Sequence, residues 1–105
     1  MRPVPEQLDE LTRRVVDAVH PLRIILFGSA ARDEMSQESD LDIAIVVSED
    51  VNRHEVAAKV YPRLLGLGIA VDLLVVTPGL LEKYKSSRSL IYYDIWRDGR
   101  EIYAA

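Results

Sequence analysis

The chain has no cysteine, and so no disulfide framework, no thiolate zinc site and no thiol nucleophile. That fits a reducing, cytoplasmic setting. Its two histidines, His20 and His54, do not form a pair at metal-ligand spacing. No apolar run approaches the ~20 residues of a membrane span, and the opening MRPVPEQLDE has no apolar signal core. Neither membrane spanning nor secretion is expected. Basic charge is also short: 13 Lys+Arg stand against 17 Asp+Glu, for a net charge of -4. Binding of bulk nucleic acid or of a membrane surface normally needs a cationic face, and this balance argues against both. The 105 residues contain no internal repeat, low-complexity tract or linker, and they suffice for a single domain, 1–105, with a thin core.

What is present alternates between two periods. Pro3 and Pro5 open a helix with Leu8, Leu11, Val15, Val16 and Val19 on one stripe, stopped by Pro21. Arg23–Phe27 is a short apolar run, read as a strand buried on both faces and ending at Gly28. Ser29–Arg32 can form one helical turn, and the polar stretch from Asp33 to Ser39 reads as a loop. Asp40–Val47 is a second strand. Asn52 caps a second helix through Val56, Val60 and Leu64, ended by Gly66 and Gly68. Ile69–Val76 is a third strand. Thr77-Pro78 starts a helix running to about Lys85. An aromatic stretch, Ser89–Arg97, leads through Asp98-Gly99 to a short edge strand at Glu101–Tyr103. The alternation predicts an α/β layer fold.

Three aspartates break the apolar pattern. Asp40 and Asp42 lie two apart and project to one face of a strand, with Cβ atoms about 7 Å apart. Asp72 is the single charge within Ile69–Val76. If its strand neighbours the second one, the three carboxylates can converge. Two carboxylates about 4 Å apart repel by roughly 4 kcal/mol at an effective dielectric near 20. Protons, arginines or a divalent metal can offset that, and an all-oxygen ligand set suits Mg²⁺ or Mn²⁺. Strand-end aspartates facing water are the plain alternative, strongest for Asp40.

Gly28-Ser29 closes the first strand. Glycine permits close backbone approach, and amides opening a helical turn can hold phosphate. By itself this is an ordinary turn. An antiparallel pairing of the first two strands would set it against Asp40 and Asp42, and a phosphate site beside a carboxylate metal site is the layout for nucleotidyl or phosphoryl transfer.

Leu26-Phe27-Gly28-Ser29-Ala30-Ala31-Arg32, followed by Ser39-Asp40-Leu41-Asp42, resembles the signature of the DNA polymerase beta nucleotidyltransferase superfamily. It is most similar to the minimal nucleotidyltransferase branch, usually the antitoxin half of a HEPN/MNT toxin–antitoxin pair. Asp72 and the tail Asp98-Gly99-Arg100-Glu101-Ile102-Tyr103 extend the similarity over nearly the whole chain. The resemblance implies a small mixed β-sheet with helices packed against it, like the polymerase beta palm. It implies that Gly28 and Ser29, with Ser39 beside them, bind the triphosphate of ATP, and that Asp40, Asp42 and Asp72 hold Mg²⁺ and form the catalytic set. It implies transfer of AMP to a hydroxyl, a tyrosine on a cognate HEPN toxin, in a hetero-complex or oligomer. One position departs from the pattern: the family commonly has glycine after the motif arginine, where this chain has Asp33.

Three functions follow. The chain is a Mg²⁺-dependent nucleotidyltransferase, or an inactive antitoxin that masks its partner by binding, or the nucleotide-binding half of an antibiotic nucleotidyltransferase whose helical domain is on another chain. Arg32 either contacts phosphate or pairs on the surface with Asp33, Glu34 or Glu38. Ser86, Ser87 and Ser89 have no histidine base in the pattern, which leaves hydrolase chemistry unsupported. The stretch Leu90–Trp96 divides between core and interface, with Tyr93 and Trp96 the residues expected at the surface.

Overall fold

The computed structural model describes residues 5–31 and 40–105, with the backbone alone at Pro5, Ser29 and Ala30. The elements follow as α1 (Pro5–Val19), β1 (Arg23–Phe27), α2 (Gly28–Ala31), β2 (Leu41–Val46) and α3 (Arg53–Val60). A 3₁₀ turn, Tyr61–Leu64, is followed by β3 (Val71–Val76), α4 (Pro78–Tyr84), α5 (Ile91–Asp98) and β4 (Arg100–Ala104). The loop expected over Asp33–Ser39, with Arg32 before it, lies outside the described residues.

The four strands form one mixed sheet in the order β3-β2-β1-β4. β1 runs antiparallel to both β2 and β4, and β2 runs parallel to β3. The parallel pair needs a crossover, which α3 supplies. Strand alternation gives the sheet two apolar faces. Ile24, Leu26, Leu41, Ile43, Ile45 and Val75 pack under Leu11 and Val15 of α1 and Val56 and Val60 of α3. Ile25, Phe27, Ala44, Val46 and Val76 pack under Ile95 of α5, with Leu81 and Tyr92 beside them. β1 and β2 are covered on both sides, and their sequences accordingly read as unbroken apolar runs.

Several element ends have local causes. Asn52 accepts a hydrogen bond from the Glu55 amide and starts α3, and Thr77 accepts one from the Leu80 amide and starts α4. The single helix anticipated through Leu64 tightens into the 3₁₀ turn at Tyr61, because Pro62 has no amide to continue the α-helical ladder. Arg14 of α1 closes the end of that turn, donating to the carbonyls of Arg63 at 3.1 Å and Leu65 at 2.9 Å. β3 begins two residues later than anticipated, at Val71, after the left-handed Gly66 and Gly68.

α1 ends on His20, the one described non-glycine residue with positive φ, at 47°. Its amide donates to the Val16 carbonyl at 3.0 Å, and Pro21 follows. An exposed L-residue held in that region is strained by about 1–2 kcal/mol relative to glycine. His20→Gly should therefore raise stability by about 1 kcal/mol, read as a higher urea midpoint at unchanged slope. A lower midpoint would show that the histidine side chain, not the backbone, governs this helix end.

Candidate active site

The sheet topology brings one end of three strands together. β1 ends at Phe27, while β2 and β3 both begin there, since β1 is antiparallel to β2 and β2 is parallel to β3. Asp42 is the register partner of Phe27 on one side and of Asp72 on the other. Neighbouring strands lie about 4.8 Å apart, and in-register parallel residues point to the same face. Asp42 alternates with Ala44 and Val46, and Asp72 with Leu74 and Val76, so both face the α4–α5 side of the sheet. Asp40 stands one residue before β2, exposed, on the same alternation. Asp42 is half-buried and Asp72 exposed.

Gly28 follows Phe27 directly and opens α2 with φ 69°. Non-glycine residues rarely adopt that angle. The Asp42 carboxylate lies against the backbone at this point, in the space that a side chain on Gly28 would fill. Ser29 is the second residue of α2. Arg32 and Ser39, the other two residues assigned to nucleotide binding, and Asp33, the departure from the family pattern, lie outside the described residues.

The structure thus joins Gly28, Asp42 and Asp72 at one sheet end, with Asp40 beside them. Among the described residues, no three His, Asp or Glu side chains stand close enough to form a ready-made metal cage. The donors present are all carboxylate oxygens, the chemistry that suits a hard divalent cation completed by water and phosphate oxygens.

α5 packs on the same face as the carboxylates and touches α2. Its buried residue is Ile95, and Tyr92 stacks on Tyr84 at 5.4 Å. Tyr93 is half-buried between the guanidinium groups of Arg97, at 5.1 Å, and Arg88, at 5.9 Å. Arg97 pairs with Asp98 at 2.7 Å, which together with Tyr93 raises its already high pKa. Trp96 reaches the surface at 61% exposure, with Ile91 at 44% and Leu90 at 39%. A cavity of about 320 Å³ opens beside Trp96, between Arg23, Pro78, Lys85 and Glu101. It sits toward the Arg23 end of β1, away from Gly28 and the aspartates. Nothing in the sequence marks it, because its walls come from four separate elements, β1, α4, α5 and β4.

The sequence matches the family model described as a nucleotidyltransferase domain over residues 6–97, and the chain belongs to that family. No curated protein matches it by sequence. Among solved structures it is similar to one assigned as a nucleotidyltransferase from Sulfolobus solfataricus. The TM-score is 0.64 at 22% identity, covering 94% of this chain and 78% of that one. It is similar to a toxin–antitoxin solved with AMP-PNP, at TM-score 0.64 and 22% identity over 93% of this chain and 73% of that one. A mutant of the toxin–antitoxin MntA–HpeT gives TM-score 0.63 at 20% identity, with the same coverage. The mixed sheet with helices on both faces is the fold these structures share.

Like charges on adjacent strands repel, so Asp72→Asn should stabilise the metal-free protein by up to about 1 kcal/mol at this exposed position, read as a higher melting temperature. Mn²⁺ should raise the melting temperature of the wild type, because binding to the folded state alone adds stability. The shift should vanish in Asp40→Asn/Asp42→Asn. An equal shift in that variant would place the ion elsewhere.

Proposed function

We propose that this chain transfers a nucleoside monophosphate, AMP from ATP, to a hydroxyl group, and that the acceptor is a tyrosine of a cognate HEPN toxin. The observation that carries the reading is the parallel register of Asp42 with Asp72 beside the Gly28 turn, in a chain of the nucleotidyltransferase domain family. Carboxylates side by side on neighbouring strands raise the energy of the empty fold, which makes sense where a cation and a polyphosphate offset them. The partner is supported by two structural neighbours that are toxin–antitoxins, one of them with AMP-PNP, and by the exposed Leu90, Ile91 and Trp96 at and within α5.

In this reading Gly28 and Ser29 lie along the triphosphate, with Arg32 and Ser39 completing its contacts. Asp40, Asp42 and Asp72 would hold Mg²⁺, which would neutralise charge on the phosphate oxygens. Asp72, completing that set, would also help to take the proton of the attacking hydroxyl. The oxygen bonds to the α-phosphorus, the bond to the bridging oxygen breaks in line, and pyrophosphate leaves.

The test is co-expression with the product of the neighbouring gene, followed by intact-mass spectrometry. Added AMP units on the partner, absent with Asp42→Asn, support transfer. A stable complex whose mass never changes shows that the chain neutralises its partner by masking. Trp96→Ala should weaken that complex at least tenfold while the isolated domain melts as wild type. Ser29→Ala should weaken ATP binding by about 1.5–3 kcal/mol in calorimetry, the worth of a hydrogen bond to a charged group. Unchanged affinity would remove Ser29 from the site.

A further inference from the structure

We infer that Gly28 is a positioning residue for Asp42: it lacks a side chain because the Asp42 carboxylate occupies the space where one would be. The inference rests on the metal-dependent reading above and assigns Gly28 a role separate from contact with phosphate. A methyl group at Gly28 would overlap Oδ2 of Asp42 and stand only 3.2 Å from its Cγ and 3.3 Å from its Cβ. The Cβ is fixed by β2, where Asp42 pairs with Phe27. The overlap is therefore relieved by swinging the carboxylate away, toward another staggered rotamer. On its other side stands Asp72, its register partner, so a swing in that direction meets a like charge. Either way the oxygen leaves the position where the first turn of α2 meets the sheet. The substitution thus acts on the ligand geometry of Asp42 and not on the hydrophobic core.

The same chain contains the control. Gly66 also has positive φ, at 80°, but a Cβ there would meet nothing within 4 Å. Gly66→Ala carries the backbone strain of a left-handed residue without the overlap. Gly28→Ala carries both. The difference between them isolates the contact with Asp42.

The experiment measures Mn²⁺ binding by calorimetry, without nucleotide, in the wild type, Gly28→Ala and Gly66→Ala, together with thermal melts of each in chelator. Gly28→Ala should bind Mn²⁺ 10–100-fold more weakly than the wild type, the range seen when groups that orient a metal ligand are altered. Gly66→Ala should bind as the wild type. Gly28→Ala should also lower the melting temperature more than Gly66→Ala. In an Asp42→Ala background, where the carboxylate is gone, that excess should disappear. This comparison decides the matter even if Gly28→Ala alone is too unstable for calorimetry. Mn²⁺ affinity of Gly28→Ala within twofold of the wild type overturns the inference. So does a melting loss that is the same with and without the Asp42 carboxylate. If the wild type itself binds no Mn²⁺, the metal-dependent reading fails, and the melting comparison alone decides whether Gly28 and Asp42 are coupled.

Discussion

Two carboxylates held abreast on neighbouring parallel strands are the constraint from which the rest of this small domain can be understood. Asp42 and Asp72 are register partners across β2 and β3, and a sheet gives such a pair little freedom to separate. The register is in turn held by the apolar pattern behind it. Leu41, Ile43 and Ile45 alternate with Ala44 and Val46 between two layers of helices. A slip of one residue would turn that whole set over and expose the core, so the aspartates stay where the hydrophobic layers put them. Repulsion between two such aspartates at one end of the sheet would be outweighed by burial along its length. The magnitudes allow it: one such repulsion is of order 1 kcal/mol near the surface, against roughly 1.5–3 kcal/mol for each large side chain fully buried.

Much of this was legible from residues alone, for identifiable reasons. Arg23–Phe27 could be read as a doubly covered strand because it contains four apolar residues in succession, and it is central in the sheet. Thr77-Pro78 and Asn52 marked helix starts because capping chemistry is local. Asp42 and Asp72 stood out because a lone charge in a greasy strand is costly wherever the strand lies. Their adjacency was conditional on strand order, which depends on the crossover through α3 and cannot be had from any short window. The tight fit of Gly28 against Asp42 was beyond reach for the same reason: fourteen positions of chain separate residues that the sheet places in contact. The misjudged ends, at Tyr61 and Val71, lie where Pro62 and the left-handed Gly66 and Gly68 bend the chain more sharply than hydrophobic periodicity reveals.

The aromatic stretch of α5 shows the opposite limit. Periodicity alone could not divide Leu90–Trp96 between core and surface. The structure divides it by residue: Ile95 goes inward, Tyr92 stacks on Tyr84, Tyr93 is flanked by arginines and Trp96 faces out. Arg88 and Arg97 keep Tyr93 half-covered without burying it, and α5 can therefore serve both layers, packing on the sheet with one side while leaving an indole available on the other.

The two edges of the sheet are finished differently. The outer side of β3 is met by side chains from the α3 region: the Tyr61 hydroxyl receives the Leu73 amide at 3.4 Å, and the Arg53 guanidinium lies 3.5 Å from the Val75 carbonyl. β4 at the other edge is a five-residue strand laid down last in chain order. The carboxylate end of the sheet needs β1, β2 and β3 in place, and β3 follows the crossover through α3, so the chemistry-bearing corner is assembled from sequence-distant pieces. A chain whose β3 was not paired with β2 would have no Asp42–Asp72 pair. The site therefore depends on the pairing of the most sequence-distant strands that meet at it, and not on any one local element.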